Sequence, residues 1–154
     1  MLARTEELRR CPLISLFATR PKPPGLPDGE VCFRNIAVGS PPEFKGEPDV
    51  WTPEELLVGS LNTCIMLTFL SLAQARGLTP AAYESEAEGL LENVEGKFRI
   101  TEVTIRPHIT VKGEAELERA REIVERAEAE CFISNSVKSK VKIIAEFSSA
   151  PSLK

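Results

Sequence analysis

The feature that most constrains this chain is a stretch of 20 residues without a charged side chain, from Leu56 to Ala75. Signals for a helix stand at both of its ends. Thr52 suits the N-cap, Pro53 suits the first helical turn, and Glu55 completes a capping box three residues after Thr52. Gly77 is typical of the residue that ends a helix. The sequence therefore predicts one long helix between Thr52 and Gly77.

This predicted helix is as long as a membrane span, which needs about 20 consecutive apolar residues. Six polar side chains interrupt the stretch, however: Ser60, Asn62, Thr63, Thr68, Ser71 and Gln74. Polar groups at this density favour a buried helix in a soluble protein without a membrane partner. Because the helix is apolar nearly all round, we expect it to lie at the centre of the core.

The remaining segments alternate between strand patterns and one further helix pattern. The predicted strands are Pro12–Thr19, Glu30–Val38, Tyr83–Glu92, Lys97–Val111 and Lys140–Phe147. A turn is expected near Glu95 and Gly96, and the second helix over Glu114–Glu130. The order β-β-α-β-β-α-β predicts an α+β fold of antiparallel strands and two main helices, in a single domain over residues 1–154.

Charge and motif content exclude several classes of function. The net charge is −4 and no run of Lys and Arg is longer than two residues, which argues against a nucleic-acid partner. No long apolar segment follows the first ten residues, so we predict no signal peptide and a cytoplasmic location. The four cysteines form no CxxC pair and His108 is the single histidine, so we expect no zinc site.

Two of the cysteines lie on predicted apolar helix surfaces. An apolar stripe along the second helix, with spacings of 3, 4, 3 and 4, consists of Leu117, Ala120, Val124, Ala127 and Cys131. Cys64 lies in the middle of the central helix. These positions are compatible with contact between the Cys64 and Cys131 thiols. A cysteine among apolar side chains is also commonly an inert core residue, and this alternative stays open.

A reactive cysteine must be a thiolate, so its pKa must lie below the usual value of about 8.5. A helix N-terminus would lower the pKa of Cys131 if a short helix begins at that residue. Cys64 lies too far inside its helix for this effect, and no Lys or Arg lies within one turn of it. We therefore expect a cation from elsewhere in the chain or from a partner chain. For Cys11 and Cys32 we predict no role beyond packing.

Two motifs carry a resemblance to a known family. TPEELLVGSLNTC, residues 52–64, resembles the start of the central helix in the OsmC/Ohr family, the osmotically induced and organic hydroperoxide resistance proteins. In that family a Glu, here Glu54, precedes the reactive Cys, here Cys64, by ten residues. CFISNSVK is similar to the second family motif, with Cys131 in the resolving position. The resemblance covers most of residues 28–147 and implies an OsmC-like fold assembled as an intertwined homodimer.

The resemblance implies a peroxidase that reduces organic hydroperoxides with two cysteines and no metal, haem or other cofactor. The Cys64 thiolate attacks the peroxide and becomes a sulfenic acid. Cys131 condenses with it to a disulfide, and an external dithiol, often a protein-bound lipoyl group, restores both thiols. The alternative is a dimer of the same fold that binds a hydrophobic small molecule, or acts in a stress response, without peroxidase activity.

The family also holds its thiolate with an Arg that the Glu orients. If residues 53–76 form one straight helix, Glu54 lies about 15 Å along the axis from Cys64. Either the helix is broken or Glu54 serves the active site of a second subunit, and the intertwined dimer favours the second explanation. The chain has no clean match to the family's Arg motif. Arg20 is our candidate for this Arg, and Arg34 is its rival.

Overall fold

A computed structural model describes residues 9–10, 14–17, 38–41, 44–46 and 50–150 of the chain. Within these ranges the chain forms two α-helices and one six-stranded sheet, which confirms the predicted α+β class. The elements are β1 (Arg9–Arg10), β2 (Ile14–Phe17), α1 (Pro53–Ala75), β3 (Ala82–Val94), β4 (Lys97–Val111), α2 (Leu117–Glu130), β5 (Lys140–Ile143) and β6 (Glu146–Ser149). Short 3-10 turns, Glu114–Glu116 and Ser134–Ser136, stand before and after α2.

The ends of α1 are those that the sequence predicts. The Glu55 N–H donates to Thr52 Oγ1 at 3.2 Å, and the Thr52 N–H donates to Glu55 Oε2 at 2.8 Å, which completes the capping box. Gly77 has a φ of 68°, the left-handed conformation that glycine readily adopts after a helix. Its N–H donates to the Gln74 carbonyl at 3.1 Å. These local bonds fix the limits of the helix that carries Cys64.

The sheet is built around the hairpin of β3 and β4, which pair antiparallel along nearly their whole length. Glu95 (φ 53°) and Gly96 (φ 81°) form the tight turn between them, as predicted. β1 and β2 also pair antiparallel with β3. β5 and β6 pair with the other side of β4, and their pairing is parallel.

The predicted antiparallel pairing therefore holds for β1 to β4, whereas β5 and β6 pair parallel with β4. α2 carries the chain back along β4 before the next strand begins, so β5 and β6 run in the same direction as β4. The predicted strand Lys140–Phe147 is also divided, because Ile144 and Ala145 separate β5 from β6. The sheet is consequently mixed, with α1 and α2 packed against it.

Two further strand predictions fall partly outside the described residues. The predicted strand Pro12–Thr19 is confirmed over β2. Of the predicted strand Glu30–Val38 only Val38 is described, and it forms an isolated bridge with Trp51. The second helix begins as a 3-10 turn and becomes α-helical at Leu117.

The core contains two clusters of buried side chains between the helices and the sheet. One includes Phe69, Tyr83, Ile109 and Ile123. The other consists of Val58, Leu61, Ile65, Ala87, Val103, Ile105 and Cys131, with Cys64 packed against it. Cys131 is fully buried, as the apolar stripe of α2 predicts. The second cluster therefore contacts both cysteines, since Cys131 belongs to it and Cys64 packs against it.

In the single chain α1 is buried on one face only, which corrects the prediction of a helix surrounded by core. Val58, Leu61 and Ile65 are buried, whereas Leu67 is 57% exposed and Leu56 is 37% exposed. Of the helices described, α1 alone is long and apolar enough to cross a membrane. Its inner face packs as in a core helix, and its outer face is apolar surface that the single chain leaves uncovered.

Candidate active site

Cys64 lies in the wall of a cavity on the outer side of α1. The cavity has a volume of about 1150 Å³ and extends along α1 from Trp51 to Leu72. Its other wall is the segment after α2, including Phe132 and Ile133. The lining is mostly apolar, and among the described residues it contains no Lys or Arg. A half-buried thiol thus faces a space suited to an apolar molecule.

The second thiol reaches the same place from α2. Cys131 is the C-cap residue of α2, and its Sγ lies 2.8 Å from the Sγ of Cys64. Both are free thiols. A disulfide has a length of about 2.05 Å, so the two sulfurs need to approach by less than about 1 Å to bond. The structure therefore brings together two cysteines that are 67 residues apart in the sequence.

The Cys131 thiol donates to the Cys64 sulfur at 2.8 Å. Burial raises the pKa of the Cys64 thiol, but the hydrogen bonds outweigh this effect, so its pKa lies below the usual value. The donors, in decreasing order of effect, are the Cys131 thiol, the Ile133 N–H, the Thr68 hydroxyl and the Phe132 N–H. The sequence predicts that Cys64 depends on a cation, whereas these donors are all uncharged.

The pKa of Cys131 moves in the opposite direction. Burial raises the pKa of this thiol, and so does the hydrogen bond that it shares with Cys64. The Ser134 N–H donates to Cys131 Sγ at 3.4 Å and opposes this rise. Cys131 therefore keeps its proton at a pH where Cys64 has lost its own. This difference suits Cys64 as the nucleophile and Cys131 as the thiol that reacts second.

The expected helix N-terminus at Cys131 is not present. The residue ends α2 in an extended conformation, and the turn that follows at Ser134–Ser136 is only three residues long. The condition under which a helix N-terminus would lower the pKa of Cys131 is therefore not met.

Glu54 does not line the cavity. It lies in the first turn of α1, ten residues and about 15 Å along the axis from Cys64. Because α1 is continuous, the explanation that requires a broken helix is excluded. Glu54 Oε2 is buried and has no hydrogen-bond partner within the described ranges. Such an oxygen is costly to bury without a donor. The predicted donors, Arg20 and Arg34, lie outside those ranges.

Sequence reasoning missed the donors next to Cys64. Thr68 follows Cys64 by four residues, a spacing that places two side chains on the same face of a helix and was available in the sequence. The N–H groups of Phe132 and Ile133 leave no such signal, because every residue except proline carries one. Their convergence depends on where the end of α2 meets α1.

Several known proteins and solved structures are similar to this chain. The family described as OsmC-like protein matches residues 46–146. The Bacillus subtilis protein YmaD, which bears the name uncharacterized protein, is 26% identical over 115 residues, 73% of this chain and 77% of that protein. Peroxiredoxin OsmC of Escherichia coli K12 is 25% identical over 100 residues, 65% and 68% of the two chains. An OsmC-like protein of unknown function from Vibrio cholerae has a TM-score of 0.68 at 24% identity, over 88% of this chain and 99% of that one. The structural match confirms the predicted fold.

Proposed function

The chain belongs to the OsmC-like protein family, and from this premise we propose that it is a thiol-dependent peroxidase that reduces organic hydroperoxides. The observation that carries the proposal is the 2.8 Å contact between Cys64 Sγ and Cys131 Sγ in the wall of an apolar cavity. The name peroxiredoxin of the Escherichia coli relative supports it.

In the proposed reaction the Cys64 thiolate attacks the terminal oxygen of the hydroperoxide. An S–O bond forms, the O–O bond breaks, and the alkoxide takes up a proton and leaves as an alcohol, with Cys64 oxidised to a sulfenic acid. Cys131 then attacks the Cys64 sulfur, and the sulfenic oxygen leaves as water with the Cys131 proton. An external dithiol reduces the disulfide and is itself oxidised to a disulfide.

The apolar lining of the cavity predicts a preference for organic peroxides. The aromatic ring of cumene hydroperoxide would bury apolar surface against α1, whereas hydrogen peroxide has no apolar surface to bury. We expect kcat/KM for cumene hydroperoxide to exceed that for hydrogen peroxide by about tenfold or more, since about two buried methylene groups supply that factor. Peroxide consumption with dihydrolipoamide as reductant measures this ratio. Equal values for the two peroxides would contradict the assigned role of the cavity.

The alternative is a non-enzymatic dimer that binds a hydrophobic small molecule in the same cavity. The size of the cavity and the lack of a Lys or Arg among its described lining residues favour this alternative. Mass spectrometry after mild peroxide treatment separates the two functions. A disulfide between Cys64 and Cys131 supports the peroxidase, and its absence supports the binding protein.

We also propose that the chain acts as a homodimer whose interface covers the outer side of α1. Leu56, Leu67 and the 82% exposed Phe132 together form an apolar surface beside the cavity. Contiguous apolar surface of this kind commonly marks an interaction site. Glu54 Oε2 is buried and has no donor among the described residues, and a second copy is one source of such a donor.

Sedimentation should therefore give twice the chain mass of 17.0 kDa. The variant Leu67→Glu places a charge on the proposed interface and should shift the protein toward the monomer. Phe98→Glu is a matched control, because Phe98 is 66% exposed and does not line the cavity. A wild-type protein that sediments as a monomer at micromolar concentration would disprove the dimer.

A further inference from the structure

Thr68 occupies a place beside Cys64 to which the proposed reaction assigns no role. It follows Cys64 by four residues in α1, so the two side chains are neighbours on one face of the helix. Both are half-buried and line the same cavity. The Thr68 hydroxyl is close enough to the Cys64 sulfur to contribute to the lowered pKa of the Cys64 thiol.

Other hydroxyl groups on this part of α1 are engaged elsewhere. Thr63 Oγ1 donates to the Gly59 carbonyl at 2.7 Å. Ser60 Oγ donates to the Leu57 carbonyl, also at 2.7 Å. A hydroxyl has one proton to donate, so neither group can donate to the sulfur while it holds its backbone carbonyl. Thr68 therefore differs from Thr63 and Ser60, whose protons are donated to backbone carbonyls.

The opposite side of the sulfur faces the backbone that follows Cys131. The N–H groups of Phe132 and Ile133 contribute to the lowered pKa of Cys64, and the Ser134 N–H donates to Cys131 Sγ at 3.4 Å. Successive backbone N–H groups can stabilise an anion. Cys64 lies in the cavity wall with Thr68 on α1 and with Phe132 and Ile133 on the facing segment.

We propose that Thr68 is a positioning residue for the attacking sulfur: its hydroxyl donates to the Cys64 thiolate and, with the Phe132 and Ile133 N–H groups, stabilises the negative charge. The effect on turnover rests on the proposed peroxidase function, whereas the effect on the thiolate does not.

The test measures how the alkylation of Cys64 by iodoacetamide depends on pH. Peptide mass spectrometry measures the alkylation of Cys64 separately from that of the other cysteines in the full-length, reduced protein. Only the thiolate reacts, so the rate falls as the pH falls through the pKa of Cys64. Thr68→Val keeps the shape of the side chain and removes its donor. We expect its profile to move to higher pH, with a rate at pH 6 about tenfold below wild type, the effect of one hydrogen bond to a charged group.

Two variants show whether the hydroxyl itself is responsible. Thr68→Ser retains the donor and should restore the wild-type profile. Thr63→Val removes a cavity hydroxyl that is bonded to the backbone and should leave the profile of Cys64 unchanged. If Thr68→Val alkylates with the wild-type pH profile, the proposal is wrong. If Thr68→Val fails to fold, Thr68→Ala and Thr68→Ser are compared, and equal profiles in that pair overturn the proposal.

Peroxide kinetics separate this inference from the proposed function. In an active peroxidase, kcat/KM for cumene hydroperoxide at pH 6 should fall in Thr68→Val by the same factor as alkylation and recover toward high pH. A shifted alkylation profile in a protein without peroxidase activity would support the role of Thr68 and reject the peroxidase. An unshifted profile in an active enzyme would reject the role of Thr68 alone.

Discussion

A Cys64→Ser variant is expected to lose turnover of cumene hydroperoxide by about three orders of magnitude or more, the usual result of removing a nucleophile. A serine hydroxyl stays protonated under the conditions in which the hydrogen bonds around Cys64 favour a thiolate. It also has no sulfur on which to form the sulfenic acid or the disulfide. Peroxide consumption with excess dihydrolipoamide measures the loss.

The control must show that Cys64→Ser folds. The replacement is nearly the same size, and residue 64 is only half-buried, so we expect a melting temperature close to that of wild type. Cys11→Ser and Cys32→Ser remove thiols for which the sequence predicts no role, and both should retain activity. If wild type and Cys64→Ser consumed cumene hydroperoxide equally slowly, the peroxidase function would have to be abandoned.

The parts of the fold that the sequence predicts are those determined by local contacts. The limits of α1 follow from the Thr52–Glu55 capping box and from Gly77, and each depends on residues within one helical turn. The turn at Glu95 and Gly96 requires positive φ at both positions, which Gly96 adopts without strain. The burial of Cys131 follows from the period of α2. Each of these signals depends only on residues that are close together in the sequence.

The parts that the sequence does not predict depend on how distant segments meet. β5 and β6 are parallel to β4 because of the path of α2, and no residue within either strand encodes that direction. Periodicity also places α1 wholly in the core, because an apolar surface meant for a partner has the same composition as one meant for the interior. The exposed Leu67 is therefore indistinguishable in sequence from the buried Ile65.

The candidate site, like the fold, has parts that the sequence predicts and parts that it does not. The two motifs single out Cys64 and Cys131, but no Lys or Arg lies within one turn of Cys64, so the sequence predicts a cation from elsewhere. The structure supplies uncharged donors, and two of them are backbone N–H groups whose position depends on the packing of α2 against α1. Arg20 and Arg34 remain predictions about the partner of Glu54.

The second large effect is expected for Cys131→Ser, which should stop the cycle after one oxidation. Without reductant, we expect one equivalent of peroxide to be consumed rapidly and no disulfide to form, because the 2.8 Å neighbour of Cys64 is no longer a thiol. Cys64 should gain one oxygen, and a second when peroxide is in excess, as the sulfenic acid is oxidised to the sulfinic acid. Steady-state turnover should fall about a hundredfold. The turnover that remains is due to direct reduction of the sulfenic acid by the dithiol.

Comparison with Cys131→Ala separates the two roles of this residue. Cys131 resolves the sulfenic acid, and it also donates the hydrogen bond that contributes most to the low pKa of Cys64. Serine lacks the first role but keeps a donor, whereas alanine lacks both. The single oxidation at pH 6 should therefore be slower in Cys131→Ala than in Cys131→Ser, and the difference should vanish at high pH, where Cys64 is ionised in both. Stopped-flow peroxide consumption gives both rates. Sustained turnover at the wild-type rate in either variant would exclude Cys131 as the resolving thiol, because the cycle would then close without it.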